Sequence, residues 1–122
     1  MPHKIEILNK AEMISVIYSG DVTLDERIQT VHELCLDFNM FEKFKLLIDN
    51  RKTIQKMTHV EQTVFGRYIA SRDEFNKALV AVVSYIEQPC IQEVVKEARK
   101  KHYQIQQFYC EKDALNWLRV AP

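Results

Sequence analysis

Glycine is scarce in this sequence, which has only Gly20 and Gly66 among 122 residues. Phosphate-binding loops and dinucleotide fingerprints need several closely spaced glycines, because the backbone must approach the phosphate groups. Neither pattern is present, and the G-x-S-x-G motif of a serine nucleophile is absent as well. The sequence therefore predicts no catalytic residue and no cofactor, and it favours a protein that is not an enzyme.

Cysteines and histidines are too few and too scattered to build a covalent or metal framework. The three cysteines, Cys35, Cys90 and Cys110, are odd in number, far apart and without a C-x-x-C pair. This argues against disulfides and thiolate zinc sites, and it indicates a reducing compartment. The four histidines show no spacing typical of a metal site. We therefore expect no metal and a cytoplasmic location.

An excess of charge of one sign is also missing, since 17 basic and 17 acidic residues give a formal net charge of zero. Nucleic-acid-binding domains of this size usually show a basic excess or a basic stripe. The basic run Arg99 to Lys101 falls where a helix should end, and cations there complement the helix dipole. We therefore expect no nucleic-acid partner.

Long apolar runs do not occur. The longest one, Ala78 to Ile86, is far shorter than the ~20 residues of a transmembrane helix. The first residues show no charged segment followed by an apolar one, so no signal peptide is predicted. The composition is that of a globular protein, 47% hydrophobic and 28% charged. It predicts one domain over residues 1–122, with no transmembrane segment.

The first part of the chain is typical of a hairpin followed by a helix. Two short strand-like segments, 5–8 and 13–18, flank Asn9 and Lys10, which fit a turn. The capping box Thr23 to Glu26 predicts the start of a helix. Its apolar residues recur at steps of three and four and should form the buried stripe. These residues are Leu24, Ile28, Val31, Cys35 and Phe38.

The rest of the chain alternates strands and helices. Predicted strands cover 44–48, 79–83 and 105–109, and the second, rich in valine, should be central in the sheet. A second capping box, Thr58 to Glu61, predicts a helix, Pro89 fits the first turn of another, and a short helix closes the chain. The second helix should bury one apolar face. This face consists of Val60, Val64, Phe65, Tyr68 and Ile69.

The resulting element order is β-β-α-β-α-β-α-β-α. Strands alternating with helices imply right-handed crossovers and parallel pairing. The predicted fold class is therefore α/β, a single domain with a mixed, mostly parallel sheet and an N-terminal hairpin.

Four segments carry a resemblance to a known family. They are the strand-turn-helix Val16 to Thr23, the strands Leu46 to Asp49 and Ala78 to Val83, and the closing segment Phe108 to Leu118 with its Ala-Leu-Asn-Trp-Leu ending. In this order and spacing they resemble the SpoIIAA-like branch of the STAS superfamily. The resemblance implies a STAS-like fold and a non-catalytic binding or regulatory module of a cytoplasmic, bacterial-type protein that docks a protein partner.

The resemblance also implies a candidate modification site. Anti-sigma-factor antagonists of the superfamily are phosphorylated on a Ser or Thr at the start of the helix after the central strand. The pattern there is Asp-Ser-Ser/Thr-Gly, whereas this sequence has Lys56-Met57-Thr58-His59-Val60. Thr58 is the closest counterpart. The branch is also grouped with the CRAL-TRIO lipid-carrying fold, which implies an alternative function as carrier or sensor of a small apolar or lipid-like ligand.

Several candidate binding residues follow from their predicted positions. Asp49 and Arg51 directly follow an apolar strand, and Ser84 with Tyr85 ends the next one, so both pairs should lie at the carboxyl edge of the sheet, where α/β folds bind ligands. The simpler interpretation is a turn cap at Asp49 and a solvated Arg51. An enzyme that uses Asp49 remains the third functional alternative.

The second helix supplies the other candidates. Thr58 and His59 begin it, where free amides favour an anion, although Thr58 also fits a plain helix cap. Phe65, Tyr68 and Tyr85 are candidates to line an apolar pocket, with plain core packing as the alternative.

Gly66 interrupts this helix and indicates that something approaches its backbone closely. A ligand or a neighbouring subunit would explain it, but packing against the sheet is the interpretation that we prefer. A homodimer is left open.

Overall fold

The computed structural model describes residues 3–8, 13–37, 44–73, 78–85, 92–100 and 103–120. Their elements follow the predicted order β-β-α-β-α-β-α-β-α. These are β1 (His3–Leu8), β2 (Met13–Val22), α1 (Leu24–Asp37), β3 (Phe44–Gln55), α2 (His59–Ala70), β4 (Ala78–Val83), α3 (Gln92–Arg99), β5 (Gln104–Phe108) and α4 (Glu111–Val120). The predicted turn at Asn9 and Lys10, the helix start at Pro89 and the stripe residue Phe38 lie outside the described residues.

The five strands form one sheet in the order β1-β2-β3-β4-β5. β1 pairs with β2 in antiparallel fashion, and the other three pairings are parallel. The α/β class, with a mostly parallel sheet and an N-terminal hairpin, is therefore confirmed. β4 is an interior strand flanked on both sides, but the middle position belongs to β3. No helix among the described residues is long and apolar enough to cross a membrane.

Alternate residues of each strand face opposite layers. On one face, Val16, Leu46 and Val82 pack with buried residues of α1, α2 and α3. On the other face, Leu47 and Ala81 belong to a smaller cluster that α4 covers with Ala114 and Leu118. Because both faces are covered, β4 is buried along its whole length, which explains its continuous apolar run.

The buried face of α1 is wider than the predicted stripe, of which Val31 is buried as expected. Arg27, Thr30 and Leu34 are buried, whereas Leu24, Ile28 and Cys35 are only partly buried against the core. The helix start is as expected at Thr23, whose Oγ1 accepts a hydrogen bond from Glu26 N at 3.2 Å. The Glu26 carboxylate contacts the imidazole of His3 instead. This contact holds α1 against β1 in a rotation that places Arg27 inward.

The predicted buried face of α2 is correct for Phe65, Tyr68 and Ile69, which are buried or packed against the core, but wrong for its two valines. Val60 and Val64 are 70% and 49% exposed, while Phe65 and Gly66 are buried. Gly66 explains the rotation, because a Cβ atom there would lie 2.7 Å from Glu97 Cβ and 3.0 Å from Val94 O of α3. The close approach that the glycine permits is therefore with α3 and not with the sheet.

β3 is longer than the sequence indicated. Its pairing with β4 ends at Asp49 and Val83, but its pairing with β2 continues to Gln55 and Val22. The residues predicted to follow the strand, Asp49 to Arg51, therefore lie inside it. They still lie where β4 ends, so this part of β3 projects past the carboxyl edge of its neighbour.

Candidate functional site

Asp49 and Arg51 form a two-point ion pair on the face of the sheet that α4 covers. Arg51 Nε lies 3.0 Å from Asp49 Oδ1, and Arg51 Nη2 lies 2.8 Å from Asp49 Oδ2. The backbone N–H of Arg51 also donates to Asp49 Oδ1 at 3.0 Å. Two residues apart on one strand, they share a face because side chains alternate along a strand. A weaker contact of 3.4 Å joins Arg51 Nη2 to Glu111 Oε1, at the start of α4.

The ion pair fixes the charge of both partners. Burial raises the pKa of the Asp49 carboxyl, but the hydrogen bonds and the charge of Arg51 outweigh it and leave that pKa below its ordinary value. The same hydrogen bonds raise the pKa of Arg51. Asp49 is therefore an ionised carboxylate whose oxygens are already engaged, which makes it a poor proton acceptor in catalysis.

Ser84 and Tyr85 lie at the same edge of the sheet. Ser84 is buried, its N–H donates to Phe108 O at 3.1 Å, and its Oγ accepts from Gln107 Nε2 at 2.6 Å. Tyr85 is 52% exposed and is close enough to Arg51 to contribute to the raised pKa of that guanidinium. The structure thus brings Asp49, Arg51 and Tyr85 together. Ser84, directly after β4, hydrogen-bonds residues of β5 instead.

Thr58 and His59 lie at the exposed N-terminus of α2. The capping box is complete, because Thr58 Oγ1 accepts from Glu61 N at 3.1 Å and Thr58 N donates to Glu61 Oε1 at 2.9 Å. Both Thr58 and His59 are exposed. Val60 and Val64 follow on the same helix and are exposed, although both were predicted to be buried. The sequence signal for this exposure is the presence of apolar residues on two sides of α2, since only one side can face the core.

The three aromatic residues proposed to line one pocket are not brought together. Phe65 is buried in the core and lines a cavity of about 40 Å³ between the sheet and the helices α1 to α3. Tyr68 stacks on Phe65 at a ring distance of 6.3 Å, and its hydroxyl lies 3.5 Å from His32 Nε2. Neither Tyr68 nor Tyr85 is among the residues that line the cavity.

A polar cluster that was not predicted from the sequence lies between β1, β2 and α1. His3 Nε2 lies 3.0 Å from Glu33 Oε2, and its Nδ1 contacts Glu26. Burial opposes the charged imidazole, but the hydrogen bonds to Glu33 and Glu26 prevail and raise the pKa of His3. Beside this cluster, the Arg27 guanidinium lies over the Tyr18 ring, 4.5 Å from its centroid. Helical spacing could have indicated the buried position of Arg27, since Arg27 falls between Leu24 and Val31 on one side of α1.

No group of three or more histidine, cysteine, aspartate or glutamate residues that could hold a metal ion occurs within the described ranges. The two arrangements that invite a functional interpretation are the exposed start of α2 and the cavity beneath α1 and α2.

Comparison with known proteins bears on the fold. The chain is similar to a solved structure from Shewanella loihica PV-4, an uncharacterised protein of the DUF3478 family with a SpoIIAA-like fold. The two are 20% identical, and the match covers 95% of this chain and 91% of that one with a TM-score of 0.55. No protein-family model and no curated protein matches the sequence. The chain therefore has a SpoIIAA-like fold, as its sequence motifs predicted.

Proposed function

We propose that this chain is a non-catalytic, STAS-like regulatory module of a cytoplasmic, bacterial-type protein, and that it docks a protein partner through the start of α2. The observation that carries the proposal is the exposure of two valines there, Val60 at 70% and Val64 at 49%. We call the surface formed by Thr58, His59, Val60 and Val64 the α2 face.

The arrangement of these residues is more informative than the exposure of any one. Single exposed apolar side chains are normal on protein surfaces. Val60 and Val64 are four residues apart on one helix, so their side chains are neighbours and form one apolar strip. The opposite side of α2 is already occupied, because Phe65 and Gly66 are buried against the core and α3. The strip therefore remains available for a partner.

Thr58 gives this surface a means of regulation. Its side chain is exposed, so a kinase can reach it, and it lies at a helix N-terminus where free amides and the dipole stabilise a phosphate. A phosphate on Thr58 would place about two negative charges beside the apolar strip. The partner would then meet a different surface, as the resemblance to phosphorylated antagonists implies.

The contacts at the carboxyl edge of the sheet favour binding over catalysis. The Asp49 carboxylate is held by Arg51 and has a lowered pKa, so an Asp49-based enzyme has little support. Ser84 Oγ accepts a hydrogen bond from Gln107 and is buried, which does not suit a nucleophile.

The size of the cavity favours docking over the carriage of a lipid-like ligand. The cavity measures about 40 Å³, whereas pockets for drug-sized molecules begin at about 300 Å³. A lipid-like ligand would have to part the helices from the sheet. A second copy of the chain is an alternative partner at the α2 face, and the experiment below distinguishes the two.

The test is a photo-crosslinking amino acid in place of Val64 in the full chain, expressed in cells of the source organism. Leu36, which is 84% exposed on α1, is the control position. We expect one dominant protein adduct from position 64 and none from position 36, and Val60→Asp should abolish it. An adduct of twice the chain mass would identify a homodimer. Equal adducts at both positions, or none at position 64, would contradict the proposal.

Regulation is tested in the same assay. Thr58→Asp keeps an N-cap residue and adds a charge, while Thr58→Ser keeps the cap and the phosphate acceptor. We expect the yield of the adduct to change in Thr58→Asp and to stay at the wild-type level in Thr58→Ser. Equal yields in all three proteins would remove Thr58 from the mechanism.

A further inference from the structure

A buried arginine lies near the centre of the fold. Arg27 is 2% exposed, and its Nε has no hydrogen-bond acceptor among the described residues. Among the described residues, no ion pair joins Arg27 to a carboxylate. Glu26 and Glu33 are close to it in sequence, but both contact His3 instead. A buried positive charge without a counter-ion is unusual, because removal of the charge from water is costly.

The neighbours of Arg27 compensate its charge only in part. Its guanidinium lies over the Tyr18 ring and hydrogen-bonds the Tyr18 side chain, which in turn hydrogen-bonds Thr30. Burial lowers the pKa of Arg27, but an arginine side chain stays protonated in proteins. Burial also raises the pKa of Tyr18, so the phenol is neutral and supplies no negative charge.

Arg27 lines the cavity of about 40 Å³ described above. The other polar side chains that line it are Tyr18 and Thr30, and the remaining lining residues are apolar. The cavity therefore combines one cationic donor with walls that give no solvation to a large polar ligand. A volume of about 40 Å³ accommodates about three or four heavy atoms if a water molecule needs about 10–15 Å³.

We propose that this cavity binds a small carboxylate anion no larger than acetate, with its carboxylate on Arg27 and its methyl group against Phe65 and Val94. The planar guanidinium matches a carboxylate in geometry and charge. The apolar walls suit an alkyl group and disfavour a strongly hydrated dianion such as phosphate. The anion neutralises a charge that no carboxylate among the described residues compensates.

This site goes beyond docking at the α2 face and does not depend on it. Phe65 and Ile69, which line the cavity, belong to the helix whose opposite side carries Val60 and Val64. A bound anion would therefore contact the inner side of the docking helix. The protein would then sense a short-chain metabolic acid.

The experiment is an NMR titration of the ¹⁵N-labelled full chain with sodium acetate at pH 7, with sodium sulfate used to hold the ionic strength constant. We expect saturable shifts of the Arg27 Nε–H resonance and of the Phe65 and Val94 amides. Arg27→Met should weaken acetate binding at least tenfold. The control Arg67→Met changes an arginine whose side chain is 72% exposed, and it should bind acetate as the wild type does.

A size series makes the test independent of the variants. Formate and acetate should bind, whereas pivalate, with its bulky alkyl group, should bind at least tenfold more weakly than acetate. If Arg27→Met does not fold, the Arg27 Nε–H resonance of the wild-type protein and this series decide the question. Shifts that do not saturate, an unmoved Arg27 resonance, or equal binding of all three acids would overturn the proposal.

Discussion

Gly66 of α2 and Glu97 of α3 approach so closely that a Cβ atom on Gly66 would lie 2.7 Å from Glu97 Cβ. The same atom would lie 3.0 Å from Val94 O and 3.1 Å from Val94 Cα, which belong to the backbone of α3 and cannot rotate away. Glycine inside a helix costs about 1 kcal/mol relative to alanine. Here it permits a helix contact that also determines which side of α2 faces solvent.

Gly66→Ala should therefore destabilise the protein, although alanine is the better helix former. We expect a loss of about 1–3 kcal/mol in the free energy of unfolding, because α3 must shift to accommodate the methyl group. Urea denaturation measures it. The control Val64→Ala, at an exposed site of the same helix, should stay within about 0.5 kcal/mol of the wild type. A Gly66→Ala protein as stable as the wild type would show that α3 gives way easily.

The contact of His3 with Glu26 and Glu33 should make stability depend on pH. The folded-state pKa of His3 is raised above its ordinary 6.5. Its protonated form therefore stabilises the fold fully below about 6.5, and this contribution is lost as the pH rises through the folded-state pKa. In His3→Gln, which cannot be protonated, this dependence should be absent.

Urea denaturation of wild type and His3→Gln between pH 6 and pH 9 measures this effect. The advantage of the wild type should be largest at the acid end, where the carboxylates are still ionised, and should decrease as the pH rises. An advantage that is constant or grows with pH would contradict the assigned ion pair. His32→Gln is the matched control, since His32 is exposed and should show the wild-type dependence.

The two-point ion pair between Arg51 and Asp49 should stabilise the carboxyl edge of the sheet. Arg51→Met leaves the Asp49 carboxylate, which is 10% exposed, without its counter-ion. We expect a loss of about 1–3 kcal/mol. Glu111→Gln should cost at most about 0.5 kcal/mol, because that contact is long and exposed. If both variants were equally stable, the two-point ion pair would contribute nothing measurable to the free energy of unfolding.

An NMR titration of the Asp49 carboxyl carbon provides a second readout of the same pair. In the wild type its pKa should be below the ordinary 3.8. In Arg51→Met it should rise, because burial is then opposed only by the backbone N–H of residue 51 and the charge of Lys52. The stabilisation from this pair is present above 3.8 and is lost as the pH falls through the lowered pKa.

Thr58 should contribute to stability as a helix cap, independently of any partner. Thr58→Ala removes the acceptor of the Glu61 N–H and should cost about 1 kcal/mol in urea denaturation. Thr58→Ser and Thr58→Asp should stay close to the wild type, since both side chains cap helices well. If Thr58→Ala were as stable as the wild type, the capping box would be a surface feature without energetic weight.

The sequence predicted local structure well wherever the signal was local. The capping box at Thr58 and Glu61 forms as expected, because both partners lie within four consecutive residues. The predicted second half of the box at Thr23 was wrong in detail, since Glu26 contacts His3, 23 residues away in the chain. A local motif does not show that a residue distant in the chain competes for one of its side chains.

The rotation of the helices was decided by tertiary contacts alone. α2 has apolar residues on two sides, and periodicity by itself cannot tell which side is buried. The close packing of α3 at Gly66 turns Phe65 inward and leaves Val60 exposed. The two apolar sides of α2 are visible in the sequence, but only the packed fold identifies the exposed one.

The SpoIIAA-like fold was predicted from the resemblance of four segments to a known family. By itself, the sequence determined the order of strands and helices and the mostly parallel sheet. These depend on runs and periods of apolar residues, which any chain must bury in the same way. The tertiary structure alone decided which charges meet. Arg51 holds Asp49 within one strand, whereas no carboxylate in the described part of the chain pairs with the buried Arg27, and Glu26 and Glu33 contact His3 instead. Charge pairing depends on distances between separate elements, and only the packed fold defines those distances.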